Sequence, residues 1–346
     1  MTYYVNETLR VGSTILLLSS FKIRRVTHKC DGSIKNPFTN VKLSDFDDTG
    51  CYCITAAVED ESIQLYDVKQ GKHIKTIYSK KYGCDLARFT HRSMNCIYAS
   101  RKEDDTIRYL SLHDNQYIRY FRGHKGMVNA LEVSPIDDMF LSAGFDDTVR
   151  LWDLRSNSAQ GILNIPSPSL AAFDPAAVVF AVGSQDLQKI SLYSMAAYDK
   201  EPFLTFDAHT PPGVKWTKLE FANSGQVILL STDSKAHYLF DAYYGGKIAQ
   251  VVGHIPLAPR RQSLMSNVSF TVDGRFIFGG SADNKVCIWD TKNISKQLRE
   301  DGKLYPMTSL DCTQGNAAIT AFSPKTMLFA SANTELTFWL PDRPEK

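Results

Sequence analysis

Gly123-His124, Val128-Asn129-Ala130-Leu131-Glu132-Val133-Ser134-Pro135, Phe140-Leu141-Ser142-Ala143-Gly144 and Asp146-Asp147-Thr148-Val149-Arg150-Leu151-Trp152-Asp153 follow one another in this chain. The order is a Gly-His opening, two β-rich runs, an Asp-rich turn and a Trp-Asp close. Ala130, Glu132 and Ser134 alternate with Leu131 and Val133, the period-two pattern of a half-buried strand. A unit of about 40–45 residues punctuated in this way is one four-stranded blade of a β-propeller.

The same frame recurs along the chain. Blades close at Tyr66-Asp67, Leu110-Ser111, Trp152-Asp153, Tyr193-Ser194, Phe240-Asp241, Trp289-Asp290 and Trp339-Leu340. The intervals between the second residues are 44, 42, 41, 47, 49 and 50, and three of the four Trp residues fall at this one phase. Seven copies predict an all-β, seven-bladed propeller occupying residues 1–346 as a single domain, because no blade buries its faces without neighbours. The 346 residues give about 49 per blade. Strong helical periodicity is missing, and Asn293 to Glu300 is the best helical stretch, short and polar.

Ring closure needs both termini in one blade. The last repeat offers three strands, Ala317 to Phe322, Met327 to Ala332 and Glu335 to Leu340. Residues 20–27, Ser20 to Thr27, are an apolar-basic alternation ahead of the first full repeat, predicted to supply the closing outer strand. Closure removes the sheet edges that invite aggregation.

Composition agrees with a globular chain: 43% hydrophobic, 22% charged, and 39 Lys+Arg against 37 Asp+Glu. A net charge of +2 gives no global case for nucleic acid or an anionic membrane as partner. Seven Cys make no disulfide scaffold and suggest reduced, intracellular thiols. The run Ile15 to Leu18 is too short for a signal peptide and follows Glu7 and Arg10. No uncharged apolar run reaches the ~20 residues of a membrane helix, so a soluble cytosolic or nuclear protein is expected.

Ser142, His124 and Asp146 have the composition of a catalytic triad. In a blade, however, the His lies in the entering loop, the Asp in the turn between the second and third strands, and Trp152 on the third strand. The expectation is a structural network in which buried polar groups satisfy one another, with no catalytic residues. The sixth blade keeps His254, Asp283 and Trp289 but has Gly279 where the hydroxyl would stand. Cys51-Tyr52-Cys53 lacks zinc spacing, and its side chains should share one strand face as small apolar thiols. No phosphate-loop, dinucleotide, HExxH or GxSxG motif occurs, so neither metal, cofactor nor enzyme activity is expected.

Surface then carries the function. Lys80-Lys81-Tyr82 enters the second blade, Lys125 the third and Lys215 the fifth, while Arg260-Arg261 lies in the loop Gly253 to Ser263 entering the sixth. All share one face with Asp60, Asp105, Asp147 and Asp186. Cations beside an aromatic suit acidic or phosphorylated peptides through charge-assisted hydrogen bonds. Direct RNA or DNA binding through these residues with Arg24 and Arg25 is the competing reading, which the +2 charge does not favour.

Some residues exceed blade consensus: Tyr78 to Gly83, the run Asp104 to Asn115, Tyr117-Ile118-Arg119-Tyr120-Phe121, Leu151 to Arg155, Phe173-Asp174-Pro175 and Phe338-Trp339-Leu340-Pro341. Across essentially the whole chain they resemble the WD-repeat (WD40-type) subunit of the COMPASS histone lysine methyltransferase complex, shared in fungi with the cleavage and polyadenylation factor. Departures lie in the first ~35 residues and around Arg260-Arg261. The resemblance implies a non-catalytic nuclear scaffold at transcribed chromatin. It further implies as partners the methyltransferase catalytic subunit and other COMPASS subunits, cleavage/polyadenylation and protein phosphatase subunits, and the phosphorylated RNA polymerase II tail.

Overall fold

The computed structural model of the chain describes residues 21–24, 41–57, 60–257, 268–292, 294, 301–312, 319–332 and 336–341. Its described strands fall into seven sheets, antiparallel but for one added strand, the blades of a β-propeller. The third blade runs outward as Val128–Val133, Met139–Gly144, Thr148–Asp153 and Ala159–Asn164. First strands of successive blades touch around the central axis. Phe21–Arg24 lies against Leu336–Pro341 as the outer strand of the seventh sheet, with Phe21 opposite Pro341 and Arg24 opposite Phe338. The other residues of the predicted closing strand lie outside the described residues, as does nearly all of Asn293 to Glu300.

The recurring aromatic has one structural meaning. On the third strand, Tyr66, Leu110, Trp152, Tyr193, Phe240, Trp289 and Trp339 lie opposite Cys53, Cys96, Phe140, Phe180, Ile228, Ile277 and Phe329 of the second. Where both partners are aromatic the rings stack: Phe140–Trp152 at 6.0 Å, Phe180–Tyr193 at 5.3 Å and Phe329–Trp339 at 5.3 Å. Cross-strand aromatic pairs of this kind contribute about 0.5–1.5 kcal/mol each beyond burial. Cys53 and Cys96 are the small apolar partners of this series and are fully buried. Burial also raises the Cys84 and Cys96 pKa values, and it is the largest cause lifting Cys287 to about 11. These thiols therefore remain protonated and unreactive. Cys51 precedes its strand, half-buried, so it does not share a strand face with Cys53.

Among the described residues there are seven apolar clusters, one at each blade-to-blade interface. Blade five carries a fifth strand: Lys303–Leu304, from the connection leaving the third strand of blade six, runs parallel to Gly246–Val252. That excursion accounts for part of the longer spacing of the last repeats. No described helix is long and apolar enough to cross a membrane.

Charge lines the axis near one end. Arg88 reaches Asp45 of blade one at 3.5 Å and Glu132 of blade three at 2.7 Å, and donates to the Leu131 carbonyl. In blade five Lys218 bonds Glu220 at 2.8 Å and Ser269 of blade six at 3.0 Å, and Ser269 donates onward to the Thr320 carbonyl of blade seven. The belt ties the blades together through their innermost strands. Burial raises the Asp45 and Glu132 pKa values against the opposing pull of Arg88.

On the same side His91 bridges three blades, with Nδ1 at 2.6 Å from Asp48 and Nε2 at 3.1 Å from the Asp137 carbonyl. Burial alone would lower its pKa, but Asp48 and Asp137 raise it above the ordinary imidazole value. A raised histidine pKa stabilises the fold fully below the unfolded value of about 6.5 and ceases to do so as pH rises through the folded value. The advantage of the wild type over His91→Gln should therefore be under about 1 kcal/mol, because the pair is partly exposed. Urea titrations at several pH values should show it at pH 6 and not at pH 8.5.

Candidate functional site

The face carrying the Gly-His loops is organised by the third-blade network. His124 Nδ1 lies 2.9 Å from Asp146 Oδ1, His124 Nε2 lies 2.7 Å from Ser142 Oγ, and Trp152 Nε1–H donates to Ser142 Oγ at 2.8 Å. Thr148 Oγ1 and the Lys125 amide also donate to Asp146. Burial lowers the His124 pKa. It opposes ionisation of Asp146 too, yet the Lys125, His124 and Thr148 hydrogen bonds hold that carboxyl at about 2. A neutral imidazole donating to Asp146 and accepting from Ser142 satisfies every member.

The order Asp–His–Ser is that of a triad, but the chemistry is not. Ser142 is 0% exposed and its hydroxyl is already shared between His124 and Trp152. A nucleophile needs an open approach for substrate. His124→Ala leaves the Asp146 charge and Ser142 short of partners, and should cost about 2–3 kcal/mol in urea unfolding.

The sixth blade departs from the expected network. His254 Nε2 donates to the Ser234 carbonyl at 2.9 Å, while its Nδ1 has no partner. Its ring stacks on His237 at 4.4 Å. Trp289 Nε1 donates to the Val252 carbonyl, and Asp283 faces Lys285 at 3.8 Å. The cause is Gly279. It supplies no hydroxyl to join His to Trp, and a Cβ there would collide with Val268 Cγ1. Hydroxyl-to-indole bonds occur elsewhere, from Trp339 to Ser331 at 2.8 Å and from Trp216 to Thr210 at 3.1 Å.

Lys80, Lys81 and Tyr82 occupy the turn Ser79 to Gly83. The Gly83 amide donates back to the Ser79 carbonyl, and Gly83 takes φ +67° with Arg101 close by, which favours glycine. The Tyr82 carbonyl accepts the Arg101 and Lys102 amides, fixing this loop to the neighbouring turn of its own blade. The Arg108 guanidinium lies 3.6 Å from the Tyr82 ring and 5.8 Å from Tyr120. Lys81 Nζ sits 5.1 Å from Tyr82, Lys80 Nζ 5.3 Å from Tyr78, and the Arg122 guanidinium 5.6 Å from Tyr120. Asp104 clamps Arg108 through both carboxylate oxygens. Burial resists, but these bonds still hold Asp104 below the usual carboxylate range.

The entry to blade two thus gathers Lys80, Lys81 and Tyr82 with Tyr78 from the outer strand of blade one and with Arg108, Tyr120 and Arg122, of which only Arg122 lies outside the runs that exceed blade consensus. The alternation of Tyr117–Phe121 was the available signal, since it places Tyr120 outward. Lys125 and Lys215 lie in the loops entering the third and fifth blades. Each side chain is exposed while its backbone amide grips an aspartate of the nearby turn, Asp146 or Asp233. They are not part of the blade-two cluster, and Lys215 stands three blades away from it. Arg260 and Arg261 lie outside the described residues. Acidic residues of this face are engaged locally, Asp60 by Ser62 and Asp147 by Ser167. Among the described residues no group of three or more His, Cys, Asp or Glu could hold a metal ion.

Comparison with known proteins accords with this geometry. The WD domain, G-beta repeat model matches residues 115–153 and 249–290, which contain the two Gly-His to Trp-Asp frames. WD repeat-containing protein 82 of Drosophila melanogaster is 39% identical over 95% of this chain and 97% of its own length. The Set1 complex component swd2 of Schizosaccharomyces pombe is 35% identical over 96% and 93%, and the COMPASS component SWD2 of Saccharomyces cerevisiae 37% over 86% and 89%. Identity at this level along the whole propeller makes the chain a member of the WD-repeat family formed by WD repeat-containing protein 82 and the Swd2 proteins.

Proposed function

We propose that this protein is a non-catalytic scaffold subunit of a nuclear, Set1-type (COMPASS) histone H3 lysine methyltransferase assembly. The observation that carries this reading is the 35–37% identity, over most of both chains, to two proteins named as components of that complex. The buried Ser142 hydroxyl, already shared between His124 and Trp152, is consistent with a scaffold. Depleting the protein should lower histone H3 lysine methylation at transcribed genes, while the purified chain alone transfers no methyl group. Unchanged methylation after depletion would contradict the proposal.

Roles in RNA 3′-end processing and transcription termination, beside cleavage/polyadenylation and protein phosphatase subunits, form the finer part of the reading. The blade-two corner supports a phosphorylated RNA polymerase II tail as ligand, because Lys80, Lys81 and Arg122 surround exposed tyrosines there. Lys80→Glu with Lys81→Glu should weaken binding of a phosphorylated tail peptide at least fivefold without lowering Tm, read by fluorescence anisotropy and calorimetry. Unchanged affinity counts against this face. Tight binding of bare RNA that falls steeply with salt would instead favour nucleic acid.

A further inference from the structure

The channel through the disc opens on the face opposite the Lys80 loop, where the turns between first and second strands lie. It forms a cavity of about 370 Å³, lined near its mouth by Pro135, Pro175, Asn223, Val272 and Pro324 of those turns. That size is at the small end of ligand pockets, about 300–1,000 Å³. The wall carries Asp45, Glu132 and Glu220 against only Arg88 and Lys218, an excess of one carboxylate. Glu132 uses one oxygen on Arg88, and Glu220 one on Lys218.

The rim extends the same sign. Its turns hold Asp47, Asp48, Asp137, Asp138, Asp174 and Asp273 against His91, Arg92, Arg275 and Lys325, an acidic excess around the mouth in a chain of net charge +2. Between those charges it exposes apolar side chains, Ile136 at 66%, Val178 at 60% and Val272 at 44%. An acidic cavity is complementary in charge to a cationic side chain, and the exposed apolar groups nearby offer area for a partner to cover.

We propose that this mouth docks a protein segment that inserts one Arg or Lys side chain into the channel and rests an apolar neighbour on the rim. The inserted cation would face the second oxygens of Glu132 and Glu220, while Pro135, Pro175 and Val272 at the mouth cover its aliphatic stem. Burial raises the Asp45 and Glu132 pKa values despite Arg88, and a further cation in this space would favour their charged forms. The surface is distinct from the Lys80 corner, with opposite charge and on the opposite face. The protein can therefore hold a basic and an acidic partner at once.

The test uses the full chain and a fluorescein-labelled peptide, Gly-Leu-Arg-Leu-Gly, with citrulline, Lys and Glu versions at the central position. Citrulline keeps the shape of Arg and removes its charge. Saturable binding of the Arg and Lys peptides, at least tenfold tighter than citrulline and weakened by salt, is expected. Glu132→Gln with Glu220→Gln should abolish that preference, and so should Val272→Lys, a change at an exposed residue of the mouth. Lys80→Glu with Lys81→Glu should leave it intact. Equal binding of Arg and citrulline, preference for Glu, no saturable binding, or indifference to Val272→Lys would each overturn the proposal. None of these outcomes bears on membership of the methyltransferase assembly.

Discussion

Arg88→Met should destabilise the protein by about 3–5 kcal/mol at pH 7, the cost expected when one partner of a buried ion pair is removed. Arg88 is the single cation between Asp45 and Glu132, at 3.5 and 2.7 Å, and Met retains most of its volume. The loss is therefore electrostatic rather than steric. Both carboxyls already have raised pKa values, with burial the largest cause, and losing the guanidinium pushes them higher. Groups with raised carboxyl pKa values stabilise the fold at low pH and lose that contribution as pH rises. The deficit of Arg88→Met should thus shrink as pH falls toward 4.5, when the two carboxyls take up protons. Urea denaturation at pH 7 and 5 measures both quantities. A variant as stable as the wild type at pH 7 would mean that the belt does not hold the blades together.

Deletion of residues 1–28 should cost on the order of 2–4 kcal/mol, from a ladder of about four backbone hydrogen bonds at roughly 1 kcal/mol each. The strand removed is Phe21–Arg24, paired through Arg24 opposite Phe338 and Ile23 opposite Trp339. Its loss bares Leu336–Pro341 as a sheet edge, so aggregation on heating should increase. Calorimetry and light scattering read the two effects. A truncated chain that melts like the full one would remove this strand from the account of ring closure.

The blade frame was legible because it reports one repeated contact. An aromatic or Leu recurs at the third strand since it must meet a fixed partner on the second, as Trp152 meets Phe140. The third-blade network was legible for the same local reason: His124, Ser142, Asp146 and Trp152 all belong to one blade. The sixth blade misled because residue identities do not specify a network when the bridging hydroxyl is absent. His254 then turns to the Ser234 carbonyl and His237 of the preceding blade. The axial belt escaped notice because its members come from separate blades and converge only when the ring closes. Four of them, Asp45, Arg88, Glu132 and Glu220, immediately precede Phe46, Phe89, Val133 and Phe221, so superposing the repeats would have shown charge at one inward phase. Arg108 between Tyr82 and Tyr120 joins a loop and two strands, a contact that strand periodicity does not encode.

The most direct test of the scaffold reading is quantitative affinity purification of the endogenously tagged protein from nuclei, with the co-purifying chains identified and counted. A Set1-type methyltransferase catalytic subunit and its companions should co-purify at near-stoichiometric amounts, and remain in the His91→Gln variant. Recovery of the protein alone, or only with assemblies lacking a methyltransferase, would contradict it.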